Sequence, residues 1–217
     1  EFGNPLFEAN PGGAPCNVLA MLSRLGKRTA FIGKVGADSF GRMLKETAQS
    51  VGINIDNVPE DRTIPTTLAF VHTLSDGDRQ FSFYRNPGAD MALCEGDVNE
   101  NVIADSGIFN FGTLSMTDES CRNATKKAVD AAKKYGAVIS FDPNLRFQLW
   151  DNMDMLRECV CYGLSVCDVL KISDNEVEWF TGSTDYTSVV KKLKVEYNIP
   201  LVFVTLGKDG SMAFSDS

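Results

Sequence analysis

The sequence predicts an α/β fold: a mostly parallel sheet flanked by helices on both faces, with a small β hairpin projecting from it. Three observations carry this expectation. Short, nearly unbroken apolar runs alternate with stretches of helical period, the pattern of parallel strands covered on both faces. The runs are "GIFNFGTL" before 118–135, "GAVISFD" before 151–164 and "CDVLKIS" before 174–181, and a helical stretch at 187–197 leads into "PLVFVTLG". One segment breaks the alternation: 66–74 and 79–85 are joined by "SDGD", the chemistry of a hairpin turn.

In chain order, the first element is announced by "NPGGAPCN", two glycines directly before an apolar, helix-like stretch. A β-like run follows from Thr29 to Val35. Asp38 or Ser39 then caps a helix in which Phe40, Met43, Leu44, Ala48 and Val51 recur at helical spacing, and Gly52 ends it. The hairpin comes next, and then the strand and helix units named above. No low-complexity segment and no linker rich in Pro, Gly or Ser interrupts them.

Composition narrows the function classes. The 217 residues suit one ordinary domain, and 43% apolar with 23% charged residues excludes disordered and fibrous chains. A net charge of −8 opposes binding to a phosphate backbone, which needs clustered Lys and Arg, so no nucleic-acid partner is expected. Six scattered cysteines without a C-x-x-C pair, and one histidine, leave no zinc spacing; they read as reduced thiols of a cytoplasmic protein. No apolar run approaches the ~20 residues of a membrane helix, so no membrane partner is expected either. The chain opens without Met and stops at "AFSDS", and both ends are expected to be cut.

In an open α/β sheet, ligands settle beyond the carboxyl ends of the strands. The residues read as lying there are Gly12 and Gly13, Asp142 to Arg146, Ser173 to Glu176 and Thr205 to Gly207. Bare glycine backbone lets a ligand approach, and Asn17, one turn into the helix, offers both donor and acceptor to a hydroxyl. A Gly-Gly pair equally serves a plain turn.

With these residues in view, "PGGAPCNVLAMLSRLGKRTAFIGKVGADSFG" closely resembles the N-terminal signature of the ribokinase-like (PfkB) carbohydrate kinases, including Asn17, Gly26, Gly33, Gly36, Asp38 and Gly41. The hairpin, "FDPNLR", "KISDNEVE" and "VTLGKDG" follow in family order, and the chain is most similar to the fructokinase branch. The resemblance implies an ATP-dependent sugar kinase of ribokinase-like fold, with Mg2+, whose small-molecule partners are a sugar and ATP. It makes 66–85 a lid over the sugar, inserted in a single domain spanning 1–217, and implies a homodimer through that lid.

By the same resemblance Gly12, Gly13, Asn17, Asn144 and Arg146 bind the sugar. Phe70 and Phe83 are candidates for lid-side apolar contacts, although their alternation serves packing equally well. Arg85 would be carried toward the sugar or the transferred phosphoryl group, a task that suits a forked cation, or it is a solvated strand end. Lys171, Ser173, Thr205, Gly207 and Gly210 would meet nucleotide phosphates. Glu176 matches an acid that positions magnesium through water, while Asp174 and Glu176 equally suit the first turn of a helix. Ser173 stands where that motif usually has asparagine. His72 is assigned no role.

The family's proton acceptor is an aspartate in a Gly-Ala-Gly-Asp motif, which does not occur in the sequence. Gly36-Ala37-Asp38 and Gly88-Ala89-Asp90 resemble it but precede the nucleotide-side strands, so neither Asp38 nor Asp90 is taken as the base. The catalytic residue is expected outside these residues, and the 217-residue chain alone is expected to be inactive. Two other readings stand beside a D-fructose 6-kinase: a 2-keto-3-deoxy sugar acid kinase, whose carboxylate two cleft arginines would suit, and a non-catalytic sugar-binding module.

Overall fold

The computed structural model describes residues 6–73 and 79–215. The "SDGD" turn expected between the hairpin strands lies outside the described residues, as does Leu74.

The N-terminal half builds a small core of its own. Helix α1 (Ala14–Arg24) and helix α2 (Ser39–Ser50) pack on a parallel pair, β1 (Thr29–Ile32) with β3 (Ile53–Asn57). Val35, Ala48, Ile53, Ile55 and Val58 are its buried members, with Leu19, Ala20, Phe31 and Leu44 against them. The single run expected over 29–35 is divided. After Ile32 the chain leaves β3, and β2 (Val35–Gly36) pairs with β4 (Glu60–Asp61) instead. Lys34, between them, points at Asp97 (3.1 Å) and the Ala92 carbonyl (3.2 Å), an ion pair that an unbroken β1 would not place.

The expected hairpin is present as β5 (Leu68–Thr73) and β6 (Arg79–Tyr84), an antiparallel pair in the register Leu68↔Tyr84 through Thr73↔Arg79. A short helix α3 (Glu100–Ala104) then leads into the main sheet.

That sheet has the order β11-β10-β9-β8-β7. Its strands β7 (Ile108–Phe111), β8 (Val138–Phe141), β9 (Val169–Ser173) and β10 (Leu201–Thr205) are parallel, and β11 (Ser211–Ser215) adds an antiparallel edge. Helices α4 (Glu119–Lys134), α5 (Met153–Val166), α6 (Asp174–Thr181) and α7 (Tyr186–Tyr197) form the crossovers. Successive strands step in one direction across the sheet, so right-handed crossovers lay these four helices on one face, and the helices expected on both faces do not cover the other among the described residues. On the covered face Ile139, Phe141, Leu170, Ile172, Val202 and Val204 meet Ala124, Val129, Leu156, Val160, Leu164 and Val177 in one fully buried core. Along the strands of the opposite face, Ile108, Val138 and Phe203 are exposed. The carboxyl ends of β8, β9 and β10 come to one rim, which is where the candidate chemistry lies.

Candidate functional site

Gly13 caps α1 with φ +110°, a conformation that favours glycine, and its carbonyl accepts the Asn17 amide at 3.0 Å. Gly12 has open space around the position a Cβ would take. Both glycines and Asn17 are exposed. Phe7, five residues before Gly12, stands edge-on to Phe70 of β5 with ring centroids 5.1 Å apart, which brings this segment beside the hairpin.

Alternation along the hairpin divides the aromatic residues between two faces. Phe70 shares a face with Tyr84 (5.3 Å) and Phe7, whereas Phe83 stacks on Phe81 (5.9 Å) on the other. Phe70 and Phe83 therefore cannot both cover one ligand from a single face. The Arg146 guanidinium lies 5.8 Å from the Phe81 ring centre, so the Phe81 and Phe83 face is the one turned toward the loop after β8. The period-two spacing of Phe81 and Phe83 already pairs those two residues; sequence reasoning passed over Phe81.

Arg85 corrects a second expectation. Its side chain is 5% exposed and spends its fork on the protein: Nε and Nη2 reach Asp90 at 2.7 and 2.6 Å, Nη1 donates to Thr117 Oγ1 at 2.9 Å and Nη2 to the Leu114 carbonyl at 3.0 Å. It is not a solvated strand end, because Asp90, Thr117 and Leu114 take its donors. A buried cation holds its place only when paired, and Asp90 supplies the pair.

The loop after β8 carries Asp142, Asn144 and Arg146. Asn144 adopts φ +45°, a left-handed conformation that asparagine tolerates, and its amide bonds the Asp142 carboxylate. Leu145 donates its amide to Glu176 Oε1 at 2.7 Å. Glu176, 8% exposed, takes the Ser173 amide on its other oxygen at 2.8 Å while Ser173 Oγ caps the Glu176 amide. Ser173 and Glu176 thus form a capping box at the start of α6, the helix-turn role that the sequence left open. Lys171 pairs with Asp142 at 3.3 Å. Burial pushes the Asp142 carboxyl above its ordinary value, the Lys171 ammonium pulls it back, and the Glu176 charge adds to the rise.

Magnesium takes hard oxygen donors and keeps much of its water. Asp142 and Glu176 supply such oxygens at this rim, and with an amide already on each Glu176 oxygen the arrangement suits an ion held through water. Among the described residues no cluster of three or more His, Cys, Asp or Glu side chains is arranged to grip a metal directly.

Thr205 sits opposite Ser173 in the β9 and β10 register, and the turn after it uses Gly207 (φ +56°) and Gly210 (φ +98°), closed by the Leu206 amide on the Gly210 carbonyl at 2.8 Å. Lys171, Ser173, Glu176 and Thr205 therefore share one rim. The loop 142–146 joins that rim to the hairpin, through Leu145 on one side and Arg146 on the other. Phe7, five residues before Gly12, reaches the hairpin on its Phe70 face. Of the two Gly-Ala-Asp lookalikes, Asp38 caps α2 through the Gly41 amide (2.8 Å) and also binds Thr66, while Asp90 pairs with Arg85.

A model of the pfkB family carbohydrate kinases matches residues 4–217. Fructokinase-2 of Solanum habrochaites is 41% identical over 206 residues, 95% of this chain and 63% of that protein. Probable fructokinase-4 of Arabidopsis thaliana is 40% identical over 213 residues, 98% of this chain and 65% of its own length. The chain thus spans less than two thirds of these curated relatives. Among solved structures, fructokinase from Vibrio cholerae O395 in its fructose, ADP and calcium ion bound form superposes with a TM-score of 0.90 at 30% identity, covering 99% of this chain and 69% of that one.

Proposed function

The chain belongs to the pfkB family of carbohydrate kinases, and we propose that it supplies the sugar pocket and part of the phosphate shell of an ATP-dependent sugar kinase whose acceptor is D-fructose. The observation that carries this reading is the loop 142–146, which touches the hairpin through Arg146 and the α6 capping box through Leu145. A sugar under the hairpin and a phosphate at the strand rim would be held by one short segment. The fructose and ADP bound to the Vibrio cholerae fructokinase support the same pair of ligands here.

In this reading Gly12 and Gly13 let the sugar lie on bare backbone, Asn17, Asn144 and Arg146 bond its hydroxyls, and Phe83 covers an apolar edge with Phe81. The N-terminus of α6 is already occupied by its own Glu176. Phosphates would lie instead at Lys171 and along the Thr205 to Gly210 turn, whose backbone is bare at two positions. Magnesium, held through water by Asp142 and Glu176, would spread the charge of the transferring group. The reaction forms a bond from the γ-phosphorus to the sugar 6-oxygen, breaks the bond to the β-phosphate oxygen, and releases ADP and the hydroxyl proton. No residue of this chain is assigned to receive that proton.

Arg85 bears on the choice of acceptor. A sugar acid kinase reading drew on two cleft arginines, and one of them is locked in an ion pair with Asp90. A neutral sugar is therefore the better match. Calorimetric titration with D-fructose and with 2-keto-3-deoxygluconate tests this: tighter binding of fructose is expected, weakened about tenfold or more in Arg146→Ala. Tighter binding of the acid would overturn it. Six free thiols fit a reducing compartment, in keeping with a cytoplasmic protein, and no described helix is long and apolar enough to cross a membrane.

A further inference from the structure

Two legs join the hairpin to the body, 66–67 and 85–90, and both end on a carboxylate. Thr66 gives its amide and its hydroxyl to Asp38 at 2.8 Å each, and its hydroxyl accepts the Gly36 amide at 2.9 Å. The Thr67 hydroxyl bonds Asp90 Oδ1, while Oδ2 of the same carboxylate takes the Arg85 fork. Arg85 continues to Thr117 and the Leu114 carbonyl in the turn beyond β7. The legs are also drawn together by the Ala89 amide on the Pro65 carbonyl at 2.9 Å, and a Cβ on Gly88 would overlap Thr67 Oγ1. Above this base, the hairpin meets the body at Phe7 and Arg146 through ring contacts.

We propose that Asp90 is the positioning residue of the hairpin: it ties the two legs to each other and, through Arg85, to the 114–117 turn, fixing the angle at which the Phe81 and Phe83 face stands over Arg146. Charge-assisted, forked hydrogen bonds are directional, so a single carboxylate shared by both legs sets an orientation as well as a distance. The consequence for a sugar rests on the functional reading above; the clamp itself rests on the bonds named here.

Amide hydrogen exchange of the 217-residue protein tests the clamp without any ligand. Asp90→Asn keeps the shape but loses the charge, and Thr67→Val cuts one leg while leaving the Arg85 pair intact. Each is expected to speed exchange in β5 and β6 about tenfold and to leave β8 and β9 unchanged. Asp90→Glu, which keeps the charge, should recover most of the protection. Asp90→Asn and Thr67→Val should also weaken D-fructose binding about tenfold, and Asp90→Glu should not. Unchanged hairpin exchange in both variants, an equal rise across β8 and β9, or no recovery with Glu would overturn the proposal. If the wild type fails to bind fructose, the functional reading falls, and the exchange measurement still decides for or against the clamp.

Discussion

Glu176 holds two backbone amides at once, Leu145 at 2.7 Å and Ser173 at 2.8 Å, and so couples the start of α6 to the loop that reaches the hairpin. Glu176→Gln should cost about 1–3 kcal/mol, the range for a buried charged hydrogen-bond partner, read as a lower urea midpoint at constant slope. Asp38 gives a pH prediction. Burial pushes its carboxyl up, but the Thr66 and Gly41 amides and the Thr66 hydroxyl hold it below the ordinary 3.8. A depressed folded value favours the native state above 3.8 and loses that favour as pH falls through the folded value, so stability should drop below about pH 4. Asp38→Asn should flatten that slope in acid unfolding curves; an unchanged slope would contradict the assignment. The sequence named most of these residues but not their partners. It could pair "SDNE" with a helix start or with a metal because both use the same acid, and only the Leu145 amide, thirty-one positions away, decides how the oxygens are spent. Asp90 was visible as a false catalytic motif, yet its bond to Arg85 depends on the path of the legs, which local pattern does not encode.

At the scale of elements, the strands and helices of the second half were legible because each is a short apolar run or a helical stretch with its own cap, such as Asn152 before α5 or Asp118 before α4. The hairpin was legible from alternation and its turn. The run 29–35 was not, because its break follows from a change of pairing partner that leaves the apolar pattern intact. Nor was the role of Gly163 legible. It lies inside α5, where glycine normally weakens a helix, and a Cβ there would overlap the Phe141 ring of β8. Gly163→Ala should therefore destabilise by about 1–3 kcal/mol through overpacking, against the gain expected of alanine in an open helix. Thermal unfolding gives the sign directly: a stabilised variant would contradict the close approach of α5 to β8.

For the whole molecule, fold class followed from the alternation of elements, whereas strand order and the burial of Arg85 are products of tertiary packing. The hairpin also bears on assembly. Tyr84, 66% exposed, lies on the face away from Phe81 and Phe83, and the homodimer through the hairpin that the resemblance implies would cover it. Sedimentation should then detect a dimer that Tyr84→Asp weakens, and a monomer at every concentration would contradict that expectation.

The most direct test is calorimetric titration of D-fructose into the protein and into Gly12→Val, with thermal unfolding of both. Gly13 is a poorer probe, since its φ of +110° would strain any side chain, whereas Gly12 has open space and carries no such conformation. Saturable binding by the wild type, lost in Gly12→Val at an unchanged melting temperature, is the expected result, because the added side chain would stand where the sugar lies. No binding by the wild type, or equal binding by both proteins, would contradict a sugar pocket built on the glycine pair.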